Sequence, residues 1–231
     1  MALIYDLTRL AGSGLKAQQS AQRDWSPYLV HFTRYTAMQA VRKVIKRNEQ
    51  FSAKDVREAL ENADEASWNS VKQILAPSSP FLQKHSPQEK EDLPGCVCLS
   101  QCTLPGLFGH SERFGRFGFV FDKLDIYDLG GRPCAYVDAD SYGWLDAKHT
   151  SDAEANAIWR TSNVYCPAGR GKVQDFTAER EWRVFNDIPL QGHLRAVIAP
   201  DSYITKFRTL LSPHNLDVPI LPIDMLYDWG V

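Results

Sequence analysis

The order of apolar and polar positions along the chain predicts short strands interspersed with helices. Alternation of period two, rich in β-branched and aromatic residues, indicates a strand, and apolar residues three or four apart indicate a helix. Strands are predicted on this basis at 28–33, 96–100, 117–122, 133–138, 181–185, 194–199 and 218–223. Helices are predicted at 35–48, as two successive helices between 52 and 75, at 146–163 and at 202–211. Because regular helices do not separate the strands, the pattern favours an α+β fold over a doubly wound one.

The 231 residues are expected to form a single domain in three parts. Residues 28–50 carry the first strand and a helix with a basic face, residues 51–95 a helical insert and a proline-rich loop, and residues 96–231 the main part of the sheet. Long loops such as 76–95 often serve as lids or binding loops. The basic face is a solvated helix surface or, alternatively, a surface for a nucleic-acid acceptor, and its residues are Arg42, Lys43, Lys46 and Arg47.

Composition narrows the class of protein. Hydrophobic residues make up 44% of the chain, charged residues 23%, and the net charge is −2, which is typical of a globular protein with no global attraction to polyanions. No uncharged apolar run approaches the roughly 18 residues of a membrane span, and the N-terminus lacks the basic head of a signal peptide. We therefore expect no membrane partner. The five cysteines cannot all pair, so we expect reduced thiols and a cytoplasmic location.

A cluster of cysteines raises the question of a metal site. Cys96, Cys98 and Cys102 are close in sequence, and His110 is the nearest fourth ligand. The spacing C-x-C-x3-C lacks the C-x2-C pairs of most structural zinc sites. We therefore predict no metal here, and interpret these cysteines as small apolar residues.

Two acidic residues in the last third of the chain are the strongest candidates for catalysis. Glu179 and Glu181 alternate on a predicted strand, which would place both carboxylates on one face. Such a pair suits the binding of a ribose hydroxyl and the stabilisation of a developing oxocarbenium charge. The structural alternative is that the carboxylates form ion pairs with Arg160, Arg180 or Arg183 across the sheet.

Four other residues are candidates for ligand binding, each with a structural alternative. His31 can hold a ribose hydroxyl and a backbone carbonyl at once, or be a core histidine bound to backbone. Arg34 can bind a phosphate or face solvent, and Ser100 can bind a ligand or cap the next segment. Phe117, in the repeated Arg-Phe-Gly unit at 113–118, can stack on a base or nicotinamide, or anchor the core.

Five ordered blocks of sequence resemble a known group of bacterial proteins. They are YLVHFTR at 28–34, VCLSQCTL at 97–104, RFGFVFDK at 116–123, GRPCAY at 131–136 and DFTAEREWR at 175–183. These blocks resemble the AbiGi-like and DUF2971-like abortive-infection proteins, which are uncharacterised or linked to phage defence. Gln101 and Thr103 depart from the group's pattern, which has an acidic residue and a proline at those positions.

The order of a histidine strand, a serine strand and a Glu-x-Glu strand is also similar to the ADP-ribosyltransferase superfamily. That resemblance implies a split β-sheet that grips NAD, here with an N-terminal helical insert. It implies that Glu181 is the catalytic glutamate and that Glu179 selects or orients the acceptor. The residues that it implies for NAD contact are His31, Thr33, Arg34 and Ser100.

The resemblances together imply an NAD-dependent transferase that acts in phage defence, or as a toxin, on a protein or nucleic-acid acceptor. The first alternative is a non-catalytic antitoxin or sensor with the same fold, for which the departures at Gln101 and Thr103 speak. The second is a metal-dependent nuclease built on Glu179 and Glu181.

Overall fold

The computed structural model describes residues 26–33, 53–83, 95–166, 174–175, 177 and 180–225. The predicted helix at 35–48 with its basic face, residues 84–94 of the predicted loop, Arg34 and Glu179 lie outside these ranges. The strands are β1 Tyr28–Phe32, β2 Phe81–Leu82, β3 Val97–Gln101, β4 Gly118–Asp122, β5 Arg132–Pro133, β6 Ala135–Asp138, β7 Ser162–Cys166, β8 Gln174–Asp175, β9 Glu181–Val184, β10 Ile188–Pro189, β11 Leu194–Ala199 and β12 Ile220–Pro222. The α-helices are α1 Ala53–Leu75, α2 Leu104–Phe114, α3 Lys123–Asp128, α4 Ala139–Lys148, α5 Ala153–Arg160 and α6 Ile204–Leu211.

A seven-stranded sheet organises the described part of the chain. Its strand order is β12-β11-β4-β1-β3-β9-β5, and neighbouring strands run antiparallel except for the parallel pair β11 and β12. The α+β prediction is thereby confirmed, with a mostly antiparallel sheet. This order brings β9 next to β3, although about 80 residues separate them in sequence.

Both faces of the sheet are buried, because alternate residues of the central strands pack against helices on opposite sides. On one face, Leu29 and Phe119 belong to the larger core cluster, which α1 covers with Trp68 and α6 with Phe207. On the other face, Val30 and its neighbours pack against α2. This double coverage explains why the central strands are apolar in nearly every position.

A smaller unit is inserted between β5 and β9. Its three-stranded sheet has the order β6-β7-β8, and α4 and α5 pack beside it around Leu145, Ala155 and Trp159. The insert is joined to the main sheet by the guanidinium of Arg183, which donates to the Ser162 carbonyl at 3.0 Å. The insert contributes to the site because its Asn163 side chain donates a hydrogen bond to Glu181.

Most predicted strands are confirmed, and several other segments differ. Those at 28–33, 96–100, 117–122, 181–185, 194–199 and 218–223 are found to within two residues at either end. The prediction of two helices between 52 and 75 is wrong: α1 is one helix of 23 residues, because no glycine or proline interrupts it. The predicted loop at 76–95 contains β2, which pairs with β10.

Two further corrections concern the insert. The strand predicted at 133–138 is two strands that part at Cys134, because β5 pairs with β9 whereas β6 pairs with β7. The helix predicted at 146–163 is interrupted. Asp152 caps a new helix by accepting from the backbone N–H groups of Glu154 and Ala155, and the chain then becomes strand β7 from Ser162.

Candidate functional site

The sheet brings together the three strands on which the candidate residues lie. β1, β3 and β9 are neighbours, and Ser100 is the direct partner of both Val30 on one side and Glu181 on the other. Partners in an antiparallel ladder project from the same face. Ser100 and Glu181 are therefore adjacent on one face of the sheet, near the end of β3 and the beginning of β9.

Glu181 is a buried carboxylate with an unusually complete set of donors. Arg183, two residues along the same strand, donates from Nε to Oε1 at 3.0 Å and from Nη2 to Oε2 at 3.1 Å. Asn163 of the insert donates to Oε2 at 2.9 Å. The thiols of Cys98 and Cys134 also lie close to this carboxylate. A carboxylate offers about four lone-pair sites, and the donors of Arg183 and Asn163 use three of them.

These contacts keep Glu181 ionised. Burial by itself would raise the pKa of Glu181, but the hydrogen bonds and charge of Arg183, with the Cys98 and Asn163 hydrogen bonds, lower it below the usual value. Burial also acts to lower the pKa of Arg183, and its contacts with Glu181 outweigh this and raise it. The guanidinium further donates to the carbonyls of Arg160 and Ser162 at 2.9 and 3.0 Å. The ion pair is therefore held in one fixed geometry.

A shallow, open pocket of about 260 Å³ lies beside Glu181. Its lining combines the carboxylate and a guanidinium with aromatic rings, an amide and a thiol, and consists of Gln101, Pro133, Cys134, Tyr136, Arg180, Glu181 and Trp182. The Tyr136 hydroxyl accepts from the Glu181 backbone N–H at 2.9 Å, which fixes the ring at the pocket wall. Such a mixture suits a polar ligand that carries both a ring and hydroxyl groups.

His31 lies at the point where β1 and β3 separate. The ladder between these strands is recorded at Leu29 and Val30, whereas the pairing of β1 with β4 continues through His31 to Phe32. The imidazole Nδ1 lies 2.9 Å from the Cys98 carbonyl oxygen, so a side chain continues the link between the strands. By alternation along β1, His31 projects from the face opposite to Val30, and hence opposite to Ser100 and Glu181.

The other predicted ligand residues are more deeply placed. Phe117 is fully buried and contacts the rings of Trp68, Tyr203 and Phe207 in the larger core cluster. No face of its ring is open to a ligand, so Phe117 anchors the core, which is the structural alternative given for it. Thr33 is also buried, and its Oγ1 has no hydrogen-bond partner in the described structure.

The backbone is not extended at Arg180, the residue before β9. Strand β9 begins at Glu181, and Arg180 has φ of +42°, in the left-handed region that non-glycine residues rarely adopt. A shared face for Glu179 and Glu181 requires an extended residue between them, and Arg180 does not meet this requirement. Arg180 remains tied to the sheet, because its carbonyl accepts from the Gln101 N–H at 3.1 Å.

Several residues of the site were not predicted from the sequence. Asn163 lies in a segment predicted as helix, Cys98 is interpreted from the sequence only as an apolar or metal-related residue, and Cys134 is not singled out. Arg183 is one of the ion-pair partners that the structural alternative named for Glu181, but the pair forms along one strand and not across the sheet. Its local signal was the Glu-x-Arg spacing on a strand, which puts both side chains on one face.

Within the described ranges, no three or more His, Cys, Asp or Glu side chains are arranged to hold a metal ion. Among the helices that the structure describes, none is long and apolar enough to cross a membrane. No family model, no curated protein and no solved structure matches the chain.

Proposed function

We propose that the protein is an NAD-dependent ADP-ribosyltransferase-like enzyme, in which the pocket beside Glu181 takes the nicotinamide ribose. The observation that carries the proposal is the Glu181 carboxylate at a pocket that also offers aromatic rings. Ser100, its partner on the neighbouring strand, projects from the same face of the sheet. The role in phage defence, or as a toxin acting on a protein or nucleic acid, rests on the sequence resemblance alone.

The reaction would use the negative charge of Glu181. When the bond between nicotinamide and ribose breaks, positive charge develops on the ribose, and a carboxylate that accepts from the 2′-hydroxyl stabilises that charge. The lowered pKa keeps Glu181 in the required ionised form. The hydrogen bonds from Arg183 fix its orientation before substrate binds, which reduces the cost of reorganisation. An acceptor nucleophile would then attack the ribose.

Substrate can reach Glu181 without displacing its strong donors. The guanidinium and amide hydrogen bonds use three of about four acceptor positions on the carboxylate. Cys134 lines the pocket beside the carboxylate, so we expect a ribose hydroxyl to bind there and to push the thiol aside. Replacing Cys134 by Ala would then leave NAD binding unchanged or stronger.

Release of nicotinamide from NAD tests the proposal. Glu181→Gln should abolish release, whereas Glu61→Gln, at an exposed position on α1, should not change it. The double variant Glu181→Gln with Arg183→Gln removes both charges of the buried pair, and circular dichroism checks that both Glu181 variants are folded. Unchanged turnover in either Glu181 variant would refute the assignment.

A second function is favoured by the same carboxylate. With three donors from two side chains, Glu181 has the contacts of a structural ion pair, as a non-catalytic antitoxin or sensor with this fold would have. A titration separates the two functions. If the protein neither binds NAD nor consumes it in the presence of protein and nucleic-acid acceptors, the partner function is favoured.

A further inference from the structure

One face of the insert's three-stranded sheet is turned toward Glu181. Strands β6 and β7 are parallel, and their register pairs Tyr136 with Asn163. The next pair on the same face is Asp138 with Tyr165, because residues two apart on a strand project from one side. The Tyr136 hydroxyl accepts from the Glu181 N–H at 2.9 Å, and the Asn163 amide donates to the Glu181 carboxylate at 2.9 Å. The opposite face packs against α4 and α5 in the insert's own core.

The contacts along β7 fix the position of Tyr165 relative to the carboxylate. Arg183 donates to the carbonyl of Ser162, the first residue of β7. Glu181, two residues earlier on β9, accepts from Asn163, the second residue of β7. Successive positions along β7 therefore meet β9 in reverse order. Tyr165 lies about 7 Å further along the strand than Asn163, on the side where β9 begins.

The pocket lies on that same side of Glu181, since its lining includes Arg180 and not Arg183. Among the described residues that line the pocket, Arg180 alone carries a positive charge. Its φ of +42° is held by two hydrogen bonds, from its N–H to the Thr177 carbonyl at 3.2 Å and from the Gln101 N–H to its carbonyl at 3.1 Å. A guanidinium suits a phosphate group, because its fork of donors matches the phosphate oxygens.

Tyr165 presents an aromatic ring at the outer end of this face. Its side chain is 39% exposed, although it lies on a strand inside the insert's sheet. Its strand partner Asp138 turns back to α4, where its carboxylate accepts from the N–H groups of Asp140 and Ser141. An exposed ring beside a polar pocket suits a nucleobase, because every base has a flat face that can stack.

We propose that Tyr165 and Arg180 form a subsite for the adenosine diphosphate half of NAD, with adenine stacked on the Tyr165 ring and the diphosphate at the Arg180 guanidinium. The proposal rests on the proposed function, in which Glu181 meets the nicotinamide ribose. Carboxylate, guanidinium and ring then follow one another in the order of the parts of the ligand, which are ribose, diphosphate and adenosine. The positive charge of Arg180 complements the diphosphate, and the open ring of Tyr165 complements the base.

NMR titration of the full-length protein with two probes tests the subsite. ADP-ribose contains the adenosine diphosphate half of NAD, whereas nicotinamide riboside contains neither adenine nor phosphate. We expect Tyr165→Leu to weaken ADP-ribose binding by at least about fivefold and Tyr165→Phe to retain it, because stacking needs a ring. Arg180→Gln should weaken ADP-ribose binding by about tenfold, through loss of a charged hydrogen bond. The affinity for nicotinamide riboside should stay the same in all three variants.

Two variants serve as matched controls. Trp144→Leu removes a ring that is 55% exposed on α4, on the other side of the insert's sheet. Arg208→Gln removes an exposed guanidinium from α6, which packs on the main sheet. Neither change should alter the affinity for ADP-ribose, and circular dichroism checks that every variant is folded.

Three results would overturn the proposal. They are a wild-type protein that does not bind ADP-ribose, equal ADP-ribose affinity in the wild type and the variants Tyr165→Leu and Arg180→Gln, and a loss in Trp144→Leu as large as that in Tyr165→Leu. Binding of ADP-ribose that depends on Tyr165 and Arg180, without release of nicotinamide from NAD, would refute the transferase function and support the subsite. The two failures are therefore distinguishable.

Discussion

The ion pair between Glu181 and Arg183 should contribute strongly to stability, and a double-mutant cycle measures its contribution. The side chains are 9% and 16% exposed and share two hydrogen bonds, so each single variant leaves one charge buried without its partner. Breaking a pair of this kind costs about 3 to 5 kcal/mol. We expect Glu181→Gln and Arg183→Gln each to cost about 3 kcal/mol, and the double variant to cost clearly less than the two together, with a coupling free energy of about 2 kcal/mol.

The assay is urea unfolding of the four proteins at pH 7, with the pair Asp125 and Arg195 as the control. Those side chains are 22% and 37% exposed, so their coupling should stay below about 1 kcal/mol. Because the pKa of Glu181 is lowered on folding, its contribution is fully present above the unfolded value of about 4.3 and is lost as pH falls through the lower folded value. A coupling no larger than that of the control pair, or one that persists in strong acid, would refute the reasoning.

Three further predictions follow from burial and packing. Phe117→Leu should lower the free energy of unfolding by about 1 kcal/mol and leave the KM for NAD unchanged. A KM that rises severalfold would show that the Phe117 ring contacts NAD. Burial lowers the pKa of Lys123 to about 8, so stability should rise by about 2 kcal/mol as pH increases from 8 to 10, and Lys123→Met should remove that rise; urea midpoints across this range decide it. Gly131→Ala should destabilise by about 2 kcal/mol in thermal unfolding, because a Cβ there would lie 2.8 Å from the Ile126 carbonyl oxygen, and an unchanged Tm would contradict the packing.

Local sequence patterns predict the strands of this fold better than its helices. Strands such as 194–199 are apolar runs with clear boundaries, so their period and length identify them. The ends of α4 and α5 depend on the caps Asp138 and Asp152, which stand among other polar residues and give no distinct local signal. The separation of β5 from β6 at Cys134 depends on which distant strands they pair with. Non-local pairing of this kind is not encoded in a short window.

The candidate site is likewise predicted only in part by local sequence patterns. Ser100 and Glu181 were predicted from strand position, and the sheet makes them direct partners. The donors that fix Glu181 come from elsewhere in the chain, as Asn163 shows, and only the folded sheet brings them together. The predicted shared face of Glu179 and Glu181 assumed extended backbone, whereas Arg180 has a positive φ that no residue preference would have indicated.

An NAD-dependent transferase of this kind must bind the nicotinamide ribose of NAD in the pocket beside Glu181. A crystal structure of the protein with a non-hydrolysable NAD analogue tests it most directly. We predict that the ribose 2′-hydroxyl lies within hydrogen-bond distance of a Glu181 carboxylate oxygen, with the Cys134 thiol displaced and the Arg183 contacts intact. An analogue bound away from this pocket, or a pocket that stays empty at saturating concentration with all the Glu181 contacts unchanged, would contradict the claim.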